Sequence, residues 1–151
     1  MSQKNNDFKE TLFYESLKEF WNERGRGARY RLTTIGVPFF KENIKLGNSK
    51  LENIKNLKNF LIDNNFCQSI EYEEDKFSFK VVVENCCLKN VRKKYENEGI
   101  EILSCPIGNM IMYILELETG LSPELLPIKV EGNICNLAMA KMGTEKVINE
   151  E

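Results

Sequence analysis

The chain of 151 residues contains no histidine. Histidine is the usual general base near neutral pH and the commonest metal-ligating side chain, so its absence excludes most familiar hydrolase and metalloenzyme designs. Any buried soft-ligand or redox chemistry must therefore be carried by thiols, of which the chain has five, assisted at most by carboxylates.

Long apolar runs are also lacking. No segment approaches the roughly 20 apolar residues that span a bilayer, and the first six residues lack the hydrophobic stretch of a secretory signal. We therefore expect a cytoplasmic protein with no membrane partner. In that reducing compartment an odd number of cysteines predicts free thiols or metal ligands in place of a disulfide framework.

A strong charge of either sign is the third absence. The net charge of -2 and the isoelectric point near 5.5 give no general attraction to nucleic acid. The concentrated basic segment from Arg24 to Arg31 is opposed by acidic residues at the tip of a predicted hairpin, Glu71 to Asp75. We interpret these arginines as a solvated helix end and expect no nucleic-acid partner.

Length and composition predict one domain over residues 1–151. The apolar fraction of 42% and charged fraction of 29% are typical of a globular protein that forms one core. Residues 143–151 are charged and have no apolar pattern, so we expect this tail to fray.

Helical patterns fill the first half. A first helix carries an apolar stripe and stops near Gly25; the stripe comprises Phe8, Leu12, Phe13, Leu17, Phe20 and Trp21. A second helical stretch, 30–44, is expected to be kinked or broken at Pro38. Ser49 and Glu52 then form the capping box of a third helix that ends at Asn64.

Strand patterns follow. Segments 66–73 and 77–84 form a predicted hairpin, and Asn85 is expected to cap a short helix that Gly99 closes. Cys105 and the following proline open a strongly apolar helix that ends at Gly120. Segments 126–131 and 134–142 form a second hairpin around a Gly-Asn turn.

The register of this last hairpin follows from its two-residue turn. Val130 should oppose Cys135, and Ile128 should oppose Leu137, which places Leu126 and Cys135 on the core face. The predicted fold class is therefore α+β, with N-terminal helices followed by two β-hairpins that form an antiparallel sheet covered by helices.

Cysteines occur at three stations in the second half: Cys86 with Cys87, Cys105, and Cys135. Thiolates at a helix start, a strand end and an inward hairpin position could converge on zinc, with Glu124 or another cysteine as the last ligand. Cys105 lies at a helix N-terminus, which favours a lowered pKa and reactivity. The competing interpretation is that all three stations are ordinary core, which the usual burial of free cysteine favours.

The segment from about residue 83 to 142 resembles the 4-vinyl reductase, or hydrocarbon-binding, domain. The similarity lies in the helix Cys105-Pro106-Ile107-Gly108 through Thr119-Gly120 and in the turn Gly132-Asn133-Ile134-Cys135-Asn136-Leu137. Upstream, Tyr30-Arg31-Leu32-Thr33-Thr34-Ile35-Gly36 resembles the glycine-containing helix of that family.

This resemblance implies a small-molecule-binding or sensory domain that is often dimeric and that in some branches holds zinc. The implied metal ligands are Cys105, Cys135 and Glu124. Pro127 stands near the position of an expected cysteine, so Cys86 or Cys87 would have to supply the missing thiolate. The implied pocket for an apolar ligand is lined by Phe39, Phe40, Phe79, Tyr95, Met110 and Tyr113.

The leading prediction is thus a binding protein for a small apolar molecule, forming a homodimer and having no catalytic role. One alternative is a cysteine-based zinc or iron–sulfur protein. Another is a non-catalytic dimeric scaffold subunit.

Overall fold

A computed structural model describes residues 3–25, 32–102 and 104–141 of this chain. The helices are α1 (Gln3–Arg24), α2 (Val37–Asn43), α3 (Lys50–Asp63), α4 (Lys89–Glu98) and α5 (Pro106–Thr119). The strands are β1 (Ser69–Glu74), β2 (Ser78–Glu84), β3 (Glu124–Leu125), β4 (Lys129–Glu131) and β5 (Ile134–Ala140). This is an α+β fold with N-terminal helices and an antiparallel sheet, which confirms the predicted class.

The sheet has the order β1-β2-β5-β3, and β4 also pairs with β5. Alternation along β2 buries Phe79, Val81 and Val83, as its sequence pattern predicts. The apolar helix α5 covers this inner face together with α2 and α3. A Cβ built on Gly108 of α5 would lie 3.7 Å from the side chain of Leu137 on β5, so helix and sheet approach closely there.

Helix α1 forms as predicted, but its apolar stripe is mostly not buried. Tyr14 and Leu17 are its buried residues, whereas Phe8 is 65% exposed, and Leu12 and Phe20 are also exposed. The reason is that α1 packs chiefly on α4, a single narrow helix that cannot cover a broad stripe.

The second helix differs from its prediction. Residues 33–36 form turns, and α2 begins only at Val37, after Gly36 at φ 94°. Pro38 therefore lies in the first turn, where its missing N–H removes no helical hydrogen bond, and it starts the helix instead of breaking it. Residues 30 and 31 of the predicted stretch, and with them Arg26, Arg29 and Arg31 of the basic segment, lie outside the described residues.

The third helix begins and ends as predicted. Ser49 accepts a hydrogen bond from the backbone N–H of Glu52 at 3.2 Å. Glu52 in return accepts from the backbone N–H of Asn48 at 3.0 Å, one residue earlier than in the usual capping box.

The last hairpin keeps the predicted register only near its turn. Val130 pairs with Cys135, but farther out Leu125 pairs with Met139, a shift of one residue. Pro127 lies within the shift and has no N–H for the ladder. Leu126 is consequently 38% exposed, not in the core, and the predicted pairing of Ile128 with Leu137 lies outside the ladder.

The predicted cap of α4 is also wrong. Asn85 adopts φ 51° immediately after β2, and the N-cap is Leu88, which makes no side-chain capping bond. Cys86 and Cys87 lie in the turn between them, closed by a hydrogen bond from the N–H of Lys89 to the carbonyl of Cys86 at 3.0 Å. The predicted tail 143–151 lies outside the described residues.

Candidate functional site

Three elements fix the backbone of the adjacent cysteines. The N–H of Asn85 donates to the carbonyl of Asn133 in the β4–β5 turn at 2.9 Å, and the N–H of Cys87 donates to the carbonyl of Phe66 at 2.7 Å. The N–H of Leu88 donates to the sulfur of Cys86 at 3.4 Å. Cys86 is only 1% exposed, whereas Cys87 is exposed, so the pair reaches from the core to the surface.

The other two stations meet at one small cavity. Cys105 is the N-cap of α5 and its sulfur accepts from the N–H of Gly108 at 3.4 Å, while Cys135 points inward from β5. Both thiols line a cavity of about 10 Å³ that Arg92 and Tyr95 also line. This volume is at the lower limit for a single water molecule, so the cavity cannot hold an organic ligand.

Arg92 is the charged group at the centre of this arrangement. It is 7% exposed, and no carboxylate of the described residues lies within ion-pair distance of its guanidinium. Its positive charge instead acts on the sulfurs of Cys86, Cys105 and Cys135. A guanidinium stays protonated at all ordinary pH values, and a buried charge requires a partner. A thiolate at Cys86 is the anion that this site offers.

The adjacent thiols titrate together because one donates to the other. The hydrogen bond from Cys87 and the charge of Arg92 lower the pKa of Cys86 to about 6, against the opposing effect of burial. The same hydrogen bond, with burial, raises the pKa of Cys87. The pair thus loses its first proton easily and holds its second firmly.

The expected low pKa of Cys105 is wrong. Complete burial, with the neighbouring Cys135, raises the pKa of this thiol to about 12 despite its position at a helix N-terminus. Burial also raises the pKa of Cys135 and of Cys67. Of the five thiols, only Cys86 has its pKa lowered by its surroundings.

The predicted metal ligands do not form a common site. The described residues contain no group of three or more cysteine, aspartate or glutamate side chains able to hold a metal ion. Glu124 pairs with Ala140, five residues along β5 from Cys135, which separates it from that cysteine by roughly 17 Å at the usual rise of a strand. A buried arginine among the thiols would also repel a divalent cation.

The six residues predicted to line an apolar pocket fall into two clusters. Phe40, Phe79 and Met110 belong to the core under the sheet, and Tyr113 packs edge-on against Phe40 there. Tyr95 belongs to the cluster between α1 and α4. The sixth, partly exposed Phe39, packs on Phe60 and Phe66. Two large surface grooves, of about 1160 and 740 Å³, have linings that contain none of the six.

Sequence reasoning missed Arg92 and Cys67. Arg92 follows Leu88 by four residues, so the helical period that predicts burial of Leu88 and Tyr95 also brings this arginine to the buried edge of α4. Cys67 is 5% exposed and lies close enough to Cys86 to interact electrostatically. Its position in a loop, just before β1, gives no periodic signal.

The fold and the site define an α+β domain with a buried cluster of thiols and one arginine. Residues 11–139 match the family described as "Putative rubredoxin C-terminal domain", and the chain belongs to that family. The finding corrects the resemblance to the 4-vinyl reductase domain. No curated protein matches the chain.

The family name agrees, in general terms, with the metal or redox alternative; it does not specify zinc, and it gives no support to binding of an apolar ligand. A rubredoxin-like iron centre would need four thiolates in a tetrahedron. All five cysteines are described, none is spaced as Cys-x-x-Cys, and they do not converge on one point. The residues present therefore do not fit such a centre.

Within the described ranges, no helix is both long enough and apolar enough to cross a membrane.

Proposed function

We propose that this domain is a thiol redox module whose reactive group is the Cys86–Cys87 pair. The observation that carries the proposal is the buried guanidinium of Arg92, whose positive charge acts on the Cys86 sulfur and which has no carboxylate of the described residues within ion-pair distance. Such an environment stabilises a thiolate, and the thiolate is the nucleophilic form of cysteine.

The two sulfurs have different tasks in this proposal. Cys86 is buried beside Arg92 and keeps the negative charge in the resting state, whereas Cys87 is exposed and can meet a substrate. Transfer of the Cys87 proton to Cys86, along the hydrogen bond that joins them, makes the exposed sulfur the thiolate. This minor protonation form of the singly ionised pair supplies the nucleophile at the surface at neutral pH.

The proposed step is thiol–disulfide exchange with a low-molecular-weight disulfide. The Cys87 thiolate attacks one sulfur, a mixed disulfide bond forms, and the substrate's own sulfur–sulfur bond breaks. The electron pair leaves on the second sulfur, which takes a proton from solvent. The protein thiol is oxidised and half of the disulfide is released as a reduced thiol.

An internal disulfide between Cys86 and Cys87 is not the expected product. Adjacent Cα atoms across a trans peptide lie only about 3.8 Å apart, below the roughly 4.4–6.8 Å that disulfides span. The mixed disulfide should therefore accumulate until a second thiol releases it.

The test is to react the full chain with a neutral dipyridyl disulfide and to locate the modified cysteine by peptide mass mapping. We expect Cys87 to react first, with a rate that falls as pH is lowered through about 6. Cys86→Ser should move this midpoint toward the ordinary thiol value of about 8.5, and the matched control Cys67→Ser should not. First reaction at another cysteine, or an ordinary midpoint in the unmodified chain, would refute the proposal.

The predicted homodimer and the predicted small apolar partner stay predictions. Native mass spectrometry of freshly purified protein separates them from the thiol proposal. A retained organic mass, a bound zinc or iron mass, or a bare dimer would favour the ligand-binding, metal and scaffold alternatives respectively.

A further inference from the structure

We propose that a cleft beside the thiol pair binds a small oxyanion, a carboxylate or phosphate group. The cleft has a volume of about 160 Å³ and lies between the first turns of α4 and the β4–β5 turn. Its lining consists of Lys89, Arg92, Lys93, Glu96, Val130, Gly132 and Asn133.

Charge in the cleft is strongly one-sided. Three cations from one helix face it together with a single carboxylate, that of Glu96. These cations occupy the beginning of α4, where the helix dipole is already positive, and the first turn holds no acidic residue. Repulsion among these cations and the helix dipole is unfavourable in the empty cleft, and an anion bound there would offset it.

Arg92 supplies the second, independent observation. Its side chain is more than nine-tenths buried and lines the cleft, and its charge acts on the neighbouring Cys86. A guanidinium has five N–H donors in a planar fork that matches an oxyanion, so donors remain for a ligand. Arg92 also lines the cavity of Cys105 and Cys135, and so joins the cleft to the thiols.

The size of the cleft limits the ligand. A volume of about 160 Å³ admits one anionic group with a few attached atoms, which fits the end of a small molecule. If the proposed function holds, on which this one step rests, the ligand is a low-molecular-weight disulfide that carries a carboxylate. The anion site itself does not depend on any thiol reaction.

The binding test is an NMR titration of the full chain at neutral pH with inorganic phosphate and, separately, acetate, against sodium chloride at equal ionic strength. We expect saturable shifts of the backbone amides of Lys89 and Gly132. The double variant Lys89→Gln/Lys93→Gln should raise the Kd at least about tenfold. The matched control Lys45→Gln/Lys55→Gln, which removes equal charge elsewhere, should keep the original Kd.

Arg92→Gln should weaken binding further, and the lysine variants decide the matter if that variant does not fold. No saturable shift in the unmodified chain, or equal Kd values in the two double variants, would overturn the anion site. Saturation by phosphate but not acetate, or the reverse, identifies which oxyanion the cleft takes.

A kinetic test separates this inference from the proposed function. The rate of exchange with an anionic disulfide, dithiobis(nitrobenzoate), is compared with that of a neutral dipyridyl disulfide. Lys89→Gln/Lys93→Gln should lower the anionic-to-neutral ratio at least about tenfold relative to the lysine control. Phosphate binding without reaction at the pair refutes the thiol function alone. Reaction of the neutral disulfide without oxyanion binding refutes the cleft alone.

Discussion

Asn109 on α5 and Arg92 on α4 are both buried polar side chains, and their surroundings differ sharply. The amide of Asn109 donates to the carbonyls of Leu32 and Ile35 at 3.0 and 2.9 Å and lies 3.2 Å from the hydroxyl of Ser104. Arg92 instead acts electrostatically on the sulfur of Cys86 and lines an open cleft. The first region satisfies its polar groups internally, and the second leaves capacity for a ligand or a reaction.

The difference indicates which buried polar group serves the fold. Asn109 ties the segment before α2 to the start of α5, so its hydrogen bonds replace those it would make with water. Arg92 keeps a permanent charge out of water beside the thiols, and this charge helps to stabilise the anionic form of Cys86. Burial alone therefore does not distinguish structure from function, whereas the choice of partner does.

The largest expected effect is the loss of stability when the hydrogen bonds of Asn109 on α5 are removed. Asn109→Ala should lower the free energy of unfolding by about 3 kcal/mol, because the carbonyls that it joins would lose their donor while buried. Urea unfolding at neutral pH measures the loss. Exposed Asn90 on α4 provides the control, and Asn90→Ala should change stability by less than about 0.5 kcal/mol. A loss below about 1 kcal/mol for Asn109→Ala would mean that the hydrogen bonds of Asn109 do not stabilise the fold, which contradicts the comparison with Arg92.

The next largest effect is a change of thiol pKa when the charge of Arg92 on α4 is removed. Arg92→Gln should raise the pKa of the first thiol deprotonation from about 6 by roughly 2 pH units, near 2.7 kcal/mol, because the thiolate loses its cation. The ultraviolet absorbance of thiolate, followed against pH, measures this without requiring access to the buried sulfur. Lys94 on the same helix donates to Thr11 instead, and Lys94→Gln should keep the original midpoint. An unchanged midpoint in Arg92→Gln would refute the assigned role.

A smaller effect concerns an ion-pair network at the other end of α5. Lys50 contacts Glu74 and Glu118, and Lys141 also contacts Glu74, at 2.7 Å. Although burial opposes it, hydrogen bonds from both lysines hold the pKa of Glu74 below its usual value. A depressed carboxyl pKa stabilises the fold above the unfolded value, and this contribution is lost as pH falls through the folded value.

Glu74→Gln should therefore lower stability by about 1 kcal/mol at neutral pH, and the difference from the unmodified chain should shrink as pH falls below the ordinary carboxyl pKa of about 4.3, for example to about pH 3. Unfolding curves at the two pH values measure it. Glu73→Gln, one residue away on the exposed face, serves as control. A difference that persists at about pH 3 would mean that the side chain stabilises by packing and not by charge.

The smallest effect tests whether polar groups on the α4 side are truly unsatisfied. The Tyr95 hydroxyl is buried without a hydrogen-bond partner among the described residues. Removing it in Tyr95→Phe should leave stability unchanged or raise it by up to about 1 kcal/mol. Tyr72→Phe on the exposed part of β1 should be neutral. A loss above about 1 kcal/mol in Tyr95→Phe would reveal a hydrogen bond at that hydroxyl.

Local sequence signals predicted the elements in which neighbours along the chain decide the structure. The bond between Ser49 and Glu52, the alternation along β2 and the inward direction of Cys135 all depend on spacings of two or three residues. The register beyond Pro127 was not predictable in this way, because the one-residue shift between β4 and β3 depends on how each of these strands pairs with β5. The same limit explains α1, whose apolar stripe packs, among the described residues, chiefly on one helix.

The sequence by itself determined that thiols must carry any redox chemistry here, because it has no histidine, and it determined the α+β order of elements through its changes of period. Only the tertiary structure decided which thiol is acidic. A helix terminus favours Cys105, but burial of its sulfur and the neighbouring Cys135 outweigh that effect on its pKa. The hydrogen bond from Cys87, with the charge of Arg92 on the buried edge of α4, lowers the pKa of Cys86 instead.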